Sequence, residues 1–194
     1  MKVIVLENNY YHADEGGDLS WYIVADSAIS NAGKPFYMPD EYGEVTVSVS
    51  LAFRFCRLGK SIAPKFAPRY YKEVASAVHF RLRDLKEEMQ NKGVSFSPAV
   101  SFDRSVMAGD YVAFDSLEQD VSLTLKINGE PVGTWNLKDM CQNINEIICK
   151  FSRLNTIKMG DVMLPALGPQ FRIKEGDFIE VSGEGLNPLT IKVK

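Results

Sequence analysis

Thr46-Val47-Ser48-Val49-Ser50-Leu51-Ala52-Phe53-Arg54-Phe55-Cys56 decides how this chain is read. From Val47 to Phe55 every second residue is large and apolar: Val47, Val49, Leu51, Phe53 and Phe55. Successive side chains of an extended strand point to opposite faces. The five apolar residues therefore share one face, and Thr46, Ser48, Ser50, Ala52 and Arg54 share the other. Strict alternation over such a length is the signature of a β-strand with one face in a core.

Outward from this strand the chain breaks into many short elements. Residues 3–6 read as a strand, and the polar, Gly-containing stretch 7–19 as a loop or lid. Residues 21–25 and 35–38 read as short strands. Pro64 and Pro68 precede an expected helix over residues 69–80, and a second helix over 83–91 stops at Lys92-Gly93. Residues 111–114 and 121–127 read as strands. Asn128-Gly129 marks a two-residue hairpin turn, which needs positive φ at both positions. Met140, Ile144, Ile147, Ile148 and Phe151 recur at helical spacing, with Asn136 as the expected cap of that helix. Residues 162–164, 178–181 and 189–193 complete the strands, and Gly160-Asp161 and Gly176-Asp177 read as turns. Tyr70, Tyr71, Phe80 and Phe151 read as core. Many short strands with a few helices imply an α+β fold with a folded-over sheet.

Composition narrows the function classes. The length of 194 residues fits one domain. A net charge of -3 without a basic stripe argues against nucleic acid as partner. No apolar run reaches the roughly 18 residues of a membrane span, and the apolar start of the chain is too short for a signal peptide. Cys56, Cys141 and Cys149 form no close pair, so we expect buried free thiols and a reducing, cytoplasmic setting. Two histidines and no CxxC leave little for a zinc site.

The strand is followed by RLGKSIAPKFAPRYYKEVASAVHFRLRDLK (57–86), SFDRS (101–105), the hairpin LTLKINGEPVG (123–133) and DMCQNINEIICKFS (139–152). LNTIKMGDVMLPALG (154–168) and KEGDFIEVSGEG (174–185) end the series. In this order and spacing the chain resembles the fumarylacetoacetate hydrolase family over almost its whole length, most strongly from Asp26 onward. The resemblance implies a mixed β-sandwich roll of the family's C-terminal domain type over residues 35–194. Residues 1–34 would then be an N-terminal segment with a lid-like loop. It also implies a homodimer, and chemistry on 2-oxo acids with bound Mg²⁺ or Mn²⁺.

In that family the strand carries two glutamates two residues apart, and an aspartate on the following helical segment completes the metal site. The matching positions here are Ser48, Ser50 and His79. Three carboxylates are thus replaced by neutral or weakly basic groups. Each charge pair at 4 Å is worth about 4 kcal/mol at an effective dielectric of 20. We therefore expect no metal cofactor. Other positions depart too. Val24-Ala25 replaces the family's Lys-Pro, Lys86 its glutamine, Val100 its lysine, Arg104 a small residue, and 165–168 its Thr-Gly-Thr-Pro turn.

Some elements persist. His12 and Glu15 match the His-x-x-Glu lid dyad that handles water in the family, and Arg83 matches an arginine near the ligand. Asp103 and Ser105 match a motif read as loop architecture. The reading that follows is a family member without the metal-dependent reaction, serving a binding or assembly role. Arg83 and Lys86 are its candidate contacts to a small carboxylate. The alternative is an active hydrolase, isomerase or decarboxylase on C–C bonds of acylpyruvate-like 2-oxo acids. A third option is metal-free tautomerisation through His12 and Glu15.

Overall fold

The structure, a computed structural model, describes residues 1–7, 9–10, 20–39, 41–115 and 121–194. In chain order the strands are β1 (Val3–Glu7), β2 (Ser20–Val24), β3 (Ile29–Asn31), β4 (Val45–Phe55), β5 (Tyr71–Leu82), β6 (Val106–Ala108) and β7 (Val112–Ala113). They continue with β8 (Ser122–Ile127), β9 (Glu130–Asn136), β10 (Val162–Leu164), β11 (Phe171–Ile173), β12 (Phe178–Ser182) and β13 (Leu189–Lys192). The helices are α1 (Arg83–Asn91), α2 (Ser97–Val100) and α3 (Ile144–Leu154).

Two sheets result. The larger runs β2-β1-β10-β4-β5-β6-β3, with β11 also on β4 and β7 also on β5; the smaller runs β13-β12-β8-β9. The large sheet is rolled. Its edge strands β2 and β3 are separated in sequence only by residues 25–28, a link of at most about 17 Å. Laid flat, six strand spacings would hold them about 29 Å apart. The two edges are therefore drawn toward each other, and the sheet encloses an inner face.

β4 places its faces as the alternation requires. Val45, Val47, Val49, Leu51, Phe53 and Phe55 enter the main core, which the smaller sheet covers with Leu123, Leu125, Ile179 and Val181. Phe36 stacks on Phe80 there, ring centroids 3.8 Å apart. The inner face holds a second cluster of smaller side chains, including Ala52, Ala75, Ala77, Val3, Val5 and Leu164.

Four sequence readings are corrected. Residues 35–38 form no strand; Phe36 alone makes an isolated bridge, to Val193. Residues 69–80 are not a helix: 64–69 form a 3-10 turn and β5 follows, paired antiparallel with β4 over its length. Glu73, Ala75 and Ala77 carry helical propensity, but an eleven-residue partner strand outweighs it. Asn136 caps only the short turn Leu137–Asp139, and α3 begins instead at Asn143, whose side chain and Glu146 form a capping box worth about 1 kcal/mol. Of the cysteines only Cys149 is buried, and Cys141 is exposed. Other readings hold. α1 spans Arg83–Asn91 and closes at Gly93, with φ +65°. Asn128 and Gly129 adopt φ +55° and +84° between β8 and β9. Among the described residues no helix is long and apolar enough to cross a membrane.

Candidate functional site

The register of β4 on β5 sets Thr46 opposite Arg81, Ser48 opposite His79 and Ser50 opposite Ala77. All six residues lie on the inner face of the roll. The sequence reading placed His79 on a helical segment; it stands on a strand, directly across from Ser48. Ser48, Ser50 and His79 are thus brought together, and all three are buried.

β2 supplies the next group. Three strands separate it from β5 along the sheet, about 19 Å if flat. Yet Tyr22 Oη lies 3.1 Å from His79 Nδ1. The roll brings the two strands face to face. His79 Nε2 lies 2.8 Å from the carbonyl oxygen of Val100. A carbonyl only accepts, so Nε2 carries the proton and donates, and Nδ1 accepts from the Tyr22 hydroxyl. Arg81 Nε in turn donates to Tyr22 Oη at 3.2 Å, and Arg81 Nη1 donates to Ser48 Oγ at 2.7 Å. One directed chain therefore runs Arg81→Tyr22→His79→Val100.

The electrostatics follow from burial. Desolvation holds His79 well below the usual imidazole range, and the Arg81 and Lys86 charges push the same way against the Val100 carbonyl. His79 is thus neutral at pH 7. Burial raises Tyr22 to about 12, with Arg81 opposing and Glu7 assisting, so its phenol stays protonated and able to donate. Lys86 is ion-paired with Glu7 in a mostly buried position, its ammonium 5.0 Å from the Phe96 ring centroid. Arg83 is more than half exposed and braced by Glu44 at 2.7 Å and Glu87 at 3.2 Å; with Lys86 it lines an open depression beside Thr46. His12 and Glu15 lie outside the described residues.

Sequence reading missed Arg81 and Tyr22. On a helix residues 79 and 81 point about 200° apart, and only on a strand do they share a face. Tyr22 reaches the site through sheet closure, which leaves no local signal. The segment 165–168 is a buried turn, with Ala166 at φ +46° and Leu167 N donating to Val49 O.

A rolled sheet with a polar cluster on its inner face, backed by a second sheet, defines a β-roll domain. The family model for the fumarylacetoacetate (FAA) hydrolase C-terminal domain matches residues 4–194, and the chain belongs to that family. Among similar proteins is the oxaloacetate tautomerase YcgM of Escherichia coli K12, 27% identical over 208 residues covering 99% of this chain and 92% of that protein. The mouse mitochondrial oxaloacetate tautomerase FAHD1 is 28% identical over 179 residues, covering 89% and 80%. A fumarylpyruvate hydrolase from Pseudomonas aeruginosa, solved in complex with Mn²⁺ and pyruvate, shares the fold. Its TM-score is 0.92 at 18% identity, covering 100% of this chain and 89% of that one.

The residues at the site do not suit a hard divalent cation. Mg²⁺ requires oxygen ligands, and carboxylates supply the charge. Ser48 Oγ already accepts from a guanidinium, and both His79 nitrogens are engaged. Among the described residues no three His, Cys, Asp or Glu side chains gather to hold an ion.

Proposed function

We propose that this chain keeps the family's fold without its metal-dependent reaction, and serves as a ligand-binding or assembly subunit. One observation carries the reading. The Arg81 guanidinium is fixed 2.7 Å from Ser48 Oγ, beside the positions that would ligate the ion. A divalent cation about 4 Å from that charge would be repelled by about 8 kcal/mol at an effective dielectric of 20. Neutral His79 and two serine hydroxyls offer no charge to offset it.

Calorimetric titration with Mg²⁺ and Mn²⁺ should give no heat of tight binding, and micromolar affinity for either ion would overturn the reading. Restoration sharpens the test. Ser48→Glu, Ser50→Glu and His79→Asp together should bind Mg²⁺ weakly while Arg81 remains to pair with the new carboxylates. Adding Arg81→Ser should produce a Mg²⁺-dependent rise in melting temperature, about 2.7 kcal/mol at one hundred times the dissociation constant. The second reading, an active enzyme on a 2-oxo acid, is favoured by the oxaloacetate tautomerases among the relatives. A saturable, chelator-sensitive rate on oxaloacetate would select it.

A further inference from the structure

We propose that the Arg81 cluster is a metal-free binding site for a small carboxylate of two to four carbons, held by the guanidinium and by the hydroxyls of Ser48 and Ser50. The proposal rests on the reading that no divalent ion sits there.

The first argument is charge. Arg81 is 3% exposed, and its two hydrogen bonds go to neutral oxygens. Among the described residues it has no carboxylate partner. The neighbouring cation, Lys86, is already neutralised by Glu7. The cluster therefore buries one uncompensated positive charge, an arrangement that costs stability unless an anion completes it.

The second argument is the balance of donors and acceptors. The protons of Tyr22 and His79 are consumed within the chain that ends on the Val100 carbonyl. Ser48 Oγ accepts from Arg81, which leaves its own proton without an acceptor among the described residues. Ser50 Oγ is buried and has no partner at all among them. The surplus consists of donors, and buried donors are normally satisfied. A carboxylate answers both the charge and the surplus, and its planar pair of oxygens matches the guanidinium fork.

The third argument is size. Ser48 and Ser50 are two residues apart on one strand face, about 7 Å. A ligand reaching from Arg81 toward Ser50 is thus limited to a few carbons. Beyond Ser50 the inner face is small: Ala52, Ala75 and Ala77. Beside the cluster opens a depression lined by Arg83, Lys86 and Arg172 together with Glu44 and Glu87; Thr46, also on its wall, lies directly across from Arg81 in register.

The test uses the full chain in chloride-free buffer with chelator, and oxalate as probe. Calorimetry should detect oxalate binding, and the melting temperature should rise with oxalate concentration. Arg81→Met should weaken binding at least tenfold. Arg81→Lys, which keeps the charge and loses the fork, should fall between. Ser50→Ala alters a side chain with no partner among the described residues, so it should leave melting without oxalate unchanged and weaken binding several-fold. That variant keeps the test readable if Arg81→Met fails to fold. Absence of oxalate binding to the wild type would overturn the proposal. So would binding that Ser50→Ala and the Arg81 variants leave unchanged, or an equal response to chloride and sulfate at matched ionic strength. Failure here with no Mg²⁺ affinity leaves the reading of the metal-free fold standing, whereas Mg²⁺ affinity removes that reading itself.

Discussion

In the turns Lys158-Met159-Gly160-Asp161 and Lys174-Glu175-Gly176-Asp177 a buried carboxylate is met by donors, whereas Arg81, buried as deeply, meets only two neutral oxygens among the described residues. The turns are near copies. Each aspartate accepts from the backbone N–H of its lysine, at 2.8 Å and 2.9 Å, and each glycine sits at positive φ, +85° and +89°. Asp161 also accepts from the backbone N–H of Lys2 at 2.9 Å and pairs with the Lys2 ammonium. Asp177 accepts from Asn128 Nδ2 at 2.9 Å instead. Where a buried charge holds the fold together, this chain saturates it. Where it does not, the incomplete set marks a place for something from outside, since an unpaired buried charge is otherwise only a cost.

The comparison breaks most readily at Asp161. Asp161→Ala should cost about 3 kcal/mol in urea unfolding, because it removes several accepted bonds and leaves the partly exposed Lys2 ammonium with the Thr156 carbonyl alone. Asp177→Ala, with no ion pair to lose among the described residues, should cost about 2 kcal/mol. If Asp177 proves the costlier, the Lys2 pair adds nothing and the contrast between saturated turns loses its meaning.

An intermediate effect is expected from His79. Its folded pKa lies below the unfolded value of 6.5. Below pH 6.5 the unfolded chain binds a proton that the native state refuses, so stability is full above that pH and declines as pH falls through it. The slope is at most about 1.4 kcal/mol per pH unit. Urea midpoints at pH 7.0 and 5.5 should separate in the wild type and draw together in His79→Gln. Equal separation in both would mean that the imidazole is protonated inside its network, and the directed chain from Arg81 to Val100 would be wrong.

The smallest effect belongs to Arg83, the exposed counterpart of Arg81. Its pairs with Glu44 and Glu87 are screened by solvent. Arg83→Ala should leave the melting temperature unchanged within error and oxalate binding intact. A loss of binding would move the site outward, onto α1.

Much of this architecture was legible in the chain. β4 was readable because its two faces differ in chemistry at every step. β5 was not: with His79 and Arg81 opposite Ser48 and Thr46, its inner face is polar, and alanines with a preceding Pro64 and Pro68 mimic a helix. That misreading hid Arg81, because the face it shares with His79 exists only on a strand. β3, β6 and β11 have three residues each, too few to show a period. The positions of Ser48, Ser50 and His79 came from the family frame, and the strand register brings them together. Tyr22 was beyond reach, since its contact depends on the rolling of the whole sheet.

The placement of β1 has a consequence for how the molecule is made. β1 lies inside the large sheet between β2 and β10, parallel to β10, with Val3 beside Val162. Phe36 bridges to Val193 in the same way. On the ribosome the first strand emerges with one edge unpaired, and its partner appears about 160 residues later. β4 waits as well, for β10 and β11 on the edge away from β5. Such distant pairings slow folding, and they leave strand edges open to other chains meanwhile. The route to this roll is thus governed by β10 and β11, and the large sheet can close only once residues 162–173 have been made.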